Sequence, residues 1–379
     1  MNSIRRPRRF PVAAKASRFA LLMAGCLAAF SAHGARKRPF YQAGRALAMG
    51  DAYTAHDVGF EAVYYNPAGV ARPGPPRFKV LDLEFLISSG AFDVFSEAIS
   101  SIASMPNIIE LVSNNVGSNQ AVGLSFTPQF LTKNMSLGVL ARTYAEAYID
   151  PATTLMDFYG SSDLGAYLQF GVSLQGGAFK LGAGVKAINR AELNRQYEAV
   201  DYTAGNLNFA TQWKEGIGYG LDLGLLATFP SRLLPTLGIS VLNVGNTTML
   251  DRRILFTGSA GAPGAPSAIP QSLNIGFSLN PKHDRGLRSA FSFEVKDLLN
   301  VRDTAALGRR FHAGWELNIQ DFIFLRTGLN EGRYWTAGVG VSNRAMALEF
   351  TSYGENVSFT PESTRRDDRK YAARYSVGF

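Results

Sequence analysis

The side chains that could do chemistry are few, and they do not converge. Four histidines, His33, His56, His283 and His312, stand far apart in the 379 residues. His312 and Glu316 are four residues apart in an alternating stretch, so they share one face of a strand. An imidazole beside a carboxylate is half of a general acid–base pair. The other half is missing: no nucleophile elbow, phosphate loop or His-rich metal spacing accompanies it. His312 therefore reads as an inward hydrogen-bonding group. The single cysteine, Cys26, follows Ala24-Gly25 as in a lipoprotein box, but Met23 stands where a Leu is wanted and the apolar run continues beyond it. Its two readings are a lipidated residue and an ordinary leader cysteine; in the second, no thiol is left for a disulfide, a metal or catalysis. The chain reads as a non-enzyme without cofactor or metal.

The remaining charges follow a pattern. Asp82, Glu84, Arg142, Lys180, Lys186, Asp222, Glu294, Lys296, Glu316, Arg326, Glu349 and Arg374 sit in stretches that alternate with apolar residues. A Lys or Arg facing lipid at mid-depth costs ~2–4 kcal/mol. All twelve are expected to face a polar interior, where charges of both signs can pair or choose a solute.

The elements that must position them are strands. Phe311, Ala313, Trp315, Leu317 and Ile319 share one face, with His312, Gly314, Glu316 and Asn318 on the other. Leu273, Ile275, Phe277 and Leu279 alternate likewise with Ser272, Asn274, Gly276 and Ser278, and Tyr219, Leu221, Leu223 and Leu225 with glycines and Asp222. Period two repeated along the chain means strands with one apolar and one polar face. About fourteen such segments, each near the ~10 residues of a tilted membrane strand, begin near 78, 121, 134, 163, 178, 217, 236, 271, 288, 310, 322, 334, 344 and 371. The fold expected is all-β, a transmembrane antiparallel barrel. Phe322, Phe324, Trp335, Tyr371 and Phe379 fall near strand ends and read as aromatic girdles.

The connections alternate as well. Thr132-Lys133-Asn134, Gln175-Gly176-Gly177, Gln320-Asp321 and Ser342-Asn343-Arg344 are tight. Residues 89–120, 147–162, 195–216, 246–270 and 355–370 read as long loops. Short periplasmic turns and long loops outside are what barrel insertion leaves. Residues 93–113 have helical spacing broken at Pro106, and 256–270, rich in Gly, Ala, Pro and Ser, read as a mobile outer loop. The last strand alternates from Tyr371 to Phe379, whose terminal aromatic resembles the signal read by the barrel assembly machinery.

Residues 1–34 stand apart. Arg5, Arg6, Arg8, Arg9, Lys15 and Arg18 precede an apolar run, Phe19–Phe30, and then Ser31-Ala32-His33-Gly34-Ala35. That order is a secretory signal peptide, and its apolar run is shorter than the ~20 residues of a membrane helix. Cleavage after Gly34 satisfies the small-residue positions, with Ala35 the alternative. Six of the 38 basic residues and none of the 30 acidic ones lie here, so the net charge falls from +8 to +2. A near-neutral mature chain argues against nucleic acid as a partner.

Residues 35–77 do not alternate. They carry Gly44-Arg45-Ala46 with Gly50, then Asn66-Pro67-Ala68-Gly69, whose proline restricts the residue before it and fixes a turn. This order of motifs resembles the N-terminal hatch of the long-chain fatty acid transporter (FadL-type) superfamily, nearest its PorV/PorQ-like and UPF0164-like branch. That branch also shows segments like Leu221-Asp222-Leu223-Gly224 followed by Leu237–Gly245. The likeness covers essentially the whole mature chain; the family's two acidic residues in mid-hatch are replaced by His56-Asp57. The resemblance implies a signal peptide (1–34), a hatch inside the lumen (35–77) with Gly44, Arg45, Gly50, Asn66, Pro67 and Ala68 as its motif, and a barrel (78–379) in the bacterial outer membrane.

Two functions follow from that resemblance. One is a passive channel for hydrophobic small molecules, collected on an apolar surface such as Phe95, Ile99, Ile102, Ile108 and Leu111. The other is a PorV-like adaptor that holds secreted proteins at the outer surface. The expected partners are outer-membrane lipid, the assembly machinery and one of these two cargoes.

Overall fold

A computed structural model describes residues 40–56, 59–72, 74–92, 115–203, 211–299, 307–358 and 366–379. Fourteen antiparallel strands form one sheet that closes on itself. They are β1 (Arg77–Ser88), β2 (Asn119–Phe126 and Gln129–Leu131), β3 (Met135–Ile149), β4 (Met156–Leu174), β5 (Phe179–Tyr197), β6 (Lys214–Thr228) and β7 (Thr236–Leu242 and Met249–Asp251). Then come β8 (Ser272–Leu279), β9 (Leu287–Val295), β10 (Phe311–Ile319), β11 (Ile323–Asn330), β12 (Tyr334–Ser342), β13 (Met346–Asn356) and β14 (Asp367–Gly378). Every strand pairs with its sequence neighbours, and β14 pairs back onto β1 with Glu84 opposite Arg374. The order is that of an up-and-down barrel without a free edge. β2 is interrupted at Pro128, which has no N–H for the ladder.

Alternation sorts the two faces. Leu83 and Phe85 on β1, Leu221 and Leu223 on β6, Phe291 and Phe293 on β9, and Leu348 and Phe350 on β13 are exposed on the outside. The residues between them are buried and polar: Asp82, Glu84, Asp222, Ser292 and Glu294. Apolar side chains outward and charges inward are the reverse of a water-soluble protein. This is a transmembrane β-barrel of the bacterial outer-membrane type, and the fourteen strands stand one for one where the alternation places them.

The tight turns have local causes. Gln320 and Asp321 both take positive φ, 55° and 57°, which suits a two-residue hairpin. Asn343 accepts hydrogen bonds from the backbone of Ala345 and Met346 through its side chain, both at 2.8 Å.

Three expectations are corrected. Residues 147–162 are mostly strand: β3 runs to Ile149 and β4 starts at Met156. There the outward face carries small residues and an apolar cluster of Ile149, Met156 and Tyr197 that is covered by Phe158 and Ala199, so the lipid-facing run of large apolar residues breaks off while backbone pairing continues. Residues 256–270 are tied down along their length: Phe256 and Thr257 donate their N–H groups to Glu215, Gly264 to Asp251, Ser267 to Glu192 and Ile269 to Thr247 O. Phe324 is no girdle residue. It shares the parity of Arg326, and the guanidiniums of Arg45 and Arg326 lie 5.5 and 5.2 Å from its ring centre. The signal segment, the short helices expected over 93–113, and Phe95, Ile99, Ile102, Ile108 and Leu111 lie outside the described residues.

Candidate functional site

Residues 40–72 make their contacts with the inward face of the wall. The segment contains two short helices, α1 (Gly44–Ala48) and α2 (Ala62–Tyr65), and two 3-10 turns, Gly59–Glu61 and Pro67–Val70. Gly44 donates its N–H to Glu84 at 2.9 Å, and its carbonyl accepts from Thr351 at 2.9 Å. Gly50 donates to Thr336 at 3.0 Å, and its carbonyl meets His312 Nδ1 at 2.8 Å. Glu294 receives the N–H groups of Tyr53 and Thr54 and the Thr54 hydroxyl, at 2.6, 2.8 and 2.6 Å. His56 bonds Ser292. These partners lie on β1, β9, β10, β12 and β13, so the segment is tied to widely separated strands.

Asn66 ties it to the other side. Its Oδ1 accepts from Ala68 N at 3.0 Å, closing the turn. Its Nδ2 donates to Thr54 O at 2.9 Å and to Leu225 O at 3.1 Å. The turn sits on a floor of wall glycines. Gly171, Gly182 and Gly224 are side by side in register on β4, β5 and β6. A Cβ on Gly182 would lie 2.2 Å from Pro67 C, and one on Gly224 2.0 Å from Asn66 Oδ1. A second floor, Gly314 opposite Gly328 on β10 and β11, receives Met49 and Gly50.

Charges run through the interface as one alternating chain. Lys79 pairs with Asp82 at 3.2 Å, and Asp82 is bidentate with Arg374, both bonds 2.7 Å. Arg374 also reaches Glu61 at 3.0 Å and Glu349 at 3.5 Å. Glu349 pairs with Arg326 at 2.8 Å, Arg326 with Glu316 at 2.6 Å, and Glu316 with Arg45 at 2.7 Å. Four acids and four bases balance, so burying them leaves no uncompensated charge. Two further pairs, Lys296–Asp51 at 2.5 Å and Lys186–Asp222 at 2.8 Å, flank this chain.

The inward residues picked from the alternation are placed as follows. Asp82, Glu84, Lys186, Asp222, Glu294, Lys296, Glu316, Arg326, Glu349 and Arg374 take the contacts just described. Arg142 donates to Phe40 O at 3.0 Å, and Lys180 is buried on the inner side of β5. Alternation misses Lys79, Glu61 and Asp51. A register shift between Lys79 and Leu81 turns Lys79 inward against the parity of Asp82. Glu61 and Asp51 lie in the segment without period. The buried pair Arg190–Asp163, 2.6 Å, was legible, since both are charged and on inward positions of β5 and β4.

Small cavities remain beside Tyr41. One, of about 50 Å³, is lined by Glu84, Arg142, Tyr144 and Tyr353 among others. The other, also about 50 Å³, is lined by Phe40, Tyr64, Tyr167, Val185, Leu242 and Ile269 with the Lys186–Asp222 pair. The Tyr41 and Tyr64 rings are 4.3 Å apart, and Tyr64 and Tyr167 6.1 Å. Among the described residues no group of acidic, His or Cys side chains could hold a metal.

No protein-family model matches the sequence, and no curated protein matches it. Solved structures do resemble the fold. The toluene transporter TodX of P. putida aligns over 92% of this chain and 99% of its own, at 14% identity and a TM-score of 0.52. The monoaromatic hydrocarbon channel CymD aligns over 92% and 98%, at 12% identity and a TM-score of 0.54. The chain thus has the fold of the FadL-type channels, and these structures lend no support to the PorV-like branch.

Proposed function

We propose that the protein is a passive outer-membrane channel for small hydrophobic molecules, held shut at rest by residues 40–72 acting as a hatch. The observation that carries this reading is the placement of Asn66, Gly50 and Arg45, each bonded to a different stretch of wall. A segment held on so many sides stands across any path through the barrel. Non-strand backbone at membrane depth survives only where protein or water satisfies it. In this reading residues 1–34 are removed during export, residues 35–77 form the hatch and residues 78–379 the wall.

The lining of the cavity between Tyr41 and Ile269 supports the solute class, and at about 50 Å³ the cavity takes a benzene-sized solute only once the segment moves. Phe40, Tyr41, Tyr64 and Tyr167 line it, with Val185 and Leu242 beside them and Gln169, Lys186, Asp222 and Asn243 as its polar groups. Apolar walls with a few polar groups favour a small apolar or aromatic solute. The two similar channels carry toluene and monoaromatic hydrocarbons by their descriptions. No observation among the described residues favours the adaptor.

Deletion of residues 40–70 tests it. The strands close on themselves, so a folded barrel is expected, running faster unheated than boiled, with raised conductance in planar bilayers. Unchanged conductance would end the hatch reading, and failure to assemble would make the segment part of the wall.

A further inference from the structure

We propose that the turn Arg252–Thr257 is an interfacial anchor that binds the phosphorylated glycolipid of the outer leaflet. It goes beyond the channel reading, and takes from it only that the long loops lie outside.

β6 leads up to this turn. On its outer face Leu223, Leu221 and Tyr219 are exposed, and Tyr219 is 68% exposed. Ile217, next on that face, is paired with Leu250, itself 54% exposed. This strip faces lipid. Glu215 comes next on the same face, fourteen residues from the turn at Phe229 and so just past the ~10 residues of a membrane strand, at the level of the lipid headgroups. A carboxylate there would meet the edge of the lipid, yet Glu215 is fully buried. The turn covers it. Its carboxylate receives the N–H groups of Ile254, Leu255, Phe256 and Thr257 at 3.0, 2.7, 3.2 and 2.7 Å, and the Thr257 hydroxyl at 2.8 Å.

The turn, once fixed, exposes its own apolar side chains: Ile254 59%, Leu255 56% and Phe256 44%. Three consecutive exposed apolar residues held in place by five hydrogen bonds mark a binding surface. That surface continues the lipid-facing strip of Tyr219 and Leu250. Cations flank it. Arg252, Arg253 and Lys214 are exposed. Arg253 is 3.7 Å from Asp251 and donates to Gly261 O at 2.9 Å. Among the described residues the Arg252 guanidinium reaches only the Asp251 carbonyl, at 3.5 Å. Apolar side chains beside arginines at the edge of a lipid band match acyl chains beneath a phosphate, and a guanidinium fits phosphate in two-bond geometry.

Two measurements decide the matter. Leu255→Cys in a Cys26→Ser background, labelled with bimane in vesicles, should be quenched by lipids brominated on the acyl chain and shielded from iodide. Quenching by iodide alone, or cross-linking of the introduced thiol between two copies without lipid quenching, overturns the proposal. The purified barrel should bind bisphosphorylated lipid A in neutral detergent, and Arg252→Glu with Arg253→Glu should weaken this roughly tenfold. Dephosphorylated lipid A should not tell the two proteins apart, and the Arg→Lys pair should keep most of the binding. Equal lipid A affinity in the Glu variant overturns it as well. Unheated gel mobility confirms that each variant is folded, and unchanged conductance keeps this outcome separate from that of the hatch.

Discussion

Arg45 in the N-terminal segment and Glu316 on β10 are joined by two hydrogen bonds, of 3.0 and 2.7 Å, between residues 271 positions apart in the chain. Glu316 is bonded at the same time to Arg326. One carboxylate thus belongs both to the wall's own charge ladder and to the segment lying against it. The ladder holds without Arg45, and the segment loses a tether.

Arg45→Ala should therefore release the segment without unfolding the barrel. Stranding a buried charge costs ~3–5 kcal/mol, and Glu316 keeps Arg326, so the cost should be smaller, about 2 kcal/mol. Open events in single-channel recordings should become more frequent. Glu316→Ala should do more, because it takes the carboxylate from Arg45 and leaves Arg326 with Glu349 alone.

The glycine floor makes a steric prediction. Gly182→Ala puts a methyl group 2.2 Å from Pro67 C, a backbone atom that cannot turn aside. Conductance and protease cleavage within residues 40–70 should both rise. Gly308→Ala, where nothing lies within 4 Å, should leave both unchanged. Asn66→Ala should act in the direction of Gly182→Ala and more weakly than deleting the segment.

Closure should depend on pH through His56. Burial pushes its imidazole down to about 4, with Glu316 opposing and Arg45 assisting. Released into water, the same group takes a proton near 6.5. Between those values the released state binds more protons, so docking is strongest above pH 6.5 and weakens as the pH falls to 4. The full loss is on the order of 3 kcal/mol, from ~1.4 kcal/mol per unit. Conductance titrated from pH 7 to 4 should rise, and His56→Gln should flatten the curve.

Topology can be read on intact cells. An epitope after Gly264, or within residues 359–365, should be reachable from outside. One at Asn343 should not, and the protein should fractionate with the outer membrane. The reverse labelling would invert the barrel.

Strand number and strand faces were legible in the sequence because lipid on one side and a polar interior on the other impose period two. Leu221 and Leu223 around Asp222, or Phe311 and Trp315 around His312 and Glu316, carry that signal without any long-range information. The signal failed where its cause is absent. Above the lipid band β3 and β4 continue, although their outward residues there are small, as Ala145 and Ala147, or packed into a buried cluster, as Ile149 and Met156, and no longer a run of large apolar side chains facing lipid. Lys79 was hidden by a register shift, since one extra residue reverses parity and leaves no mark in composition.

The site itself was decided in three dimensions. The sequence supplied Gly44-Arg45, Gly50 and Asn66-Pro67-Ala68 as a motif, and glycines scattered on the polar faces of the strands. Only the closed barrel sets Gly182 beside Gly224 under Pro67, and Gly314 beside Gly328 under Met49. Only there does the ladder from Lys79 to Arg45 become continuous, because its members come from five strands and the N-terminal segment. Pairing of distant charges depends on barrel closure and register, which are properties of the whole sheet; alternation along one strand records only which way each side chain points.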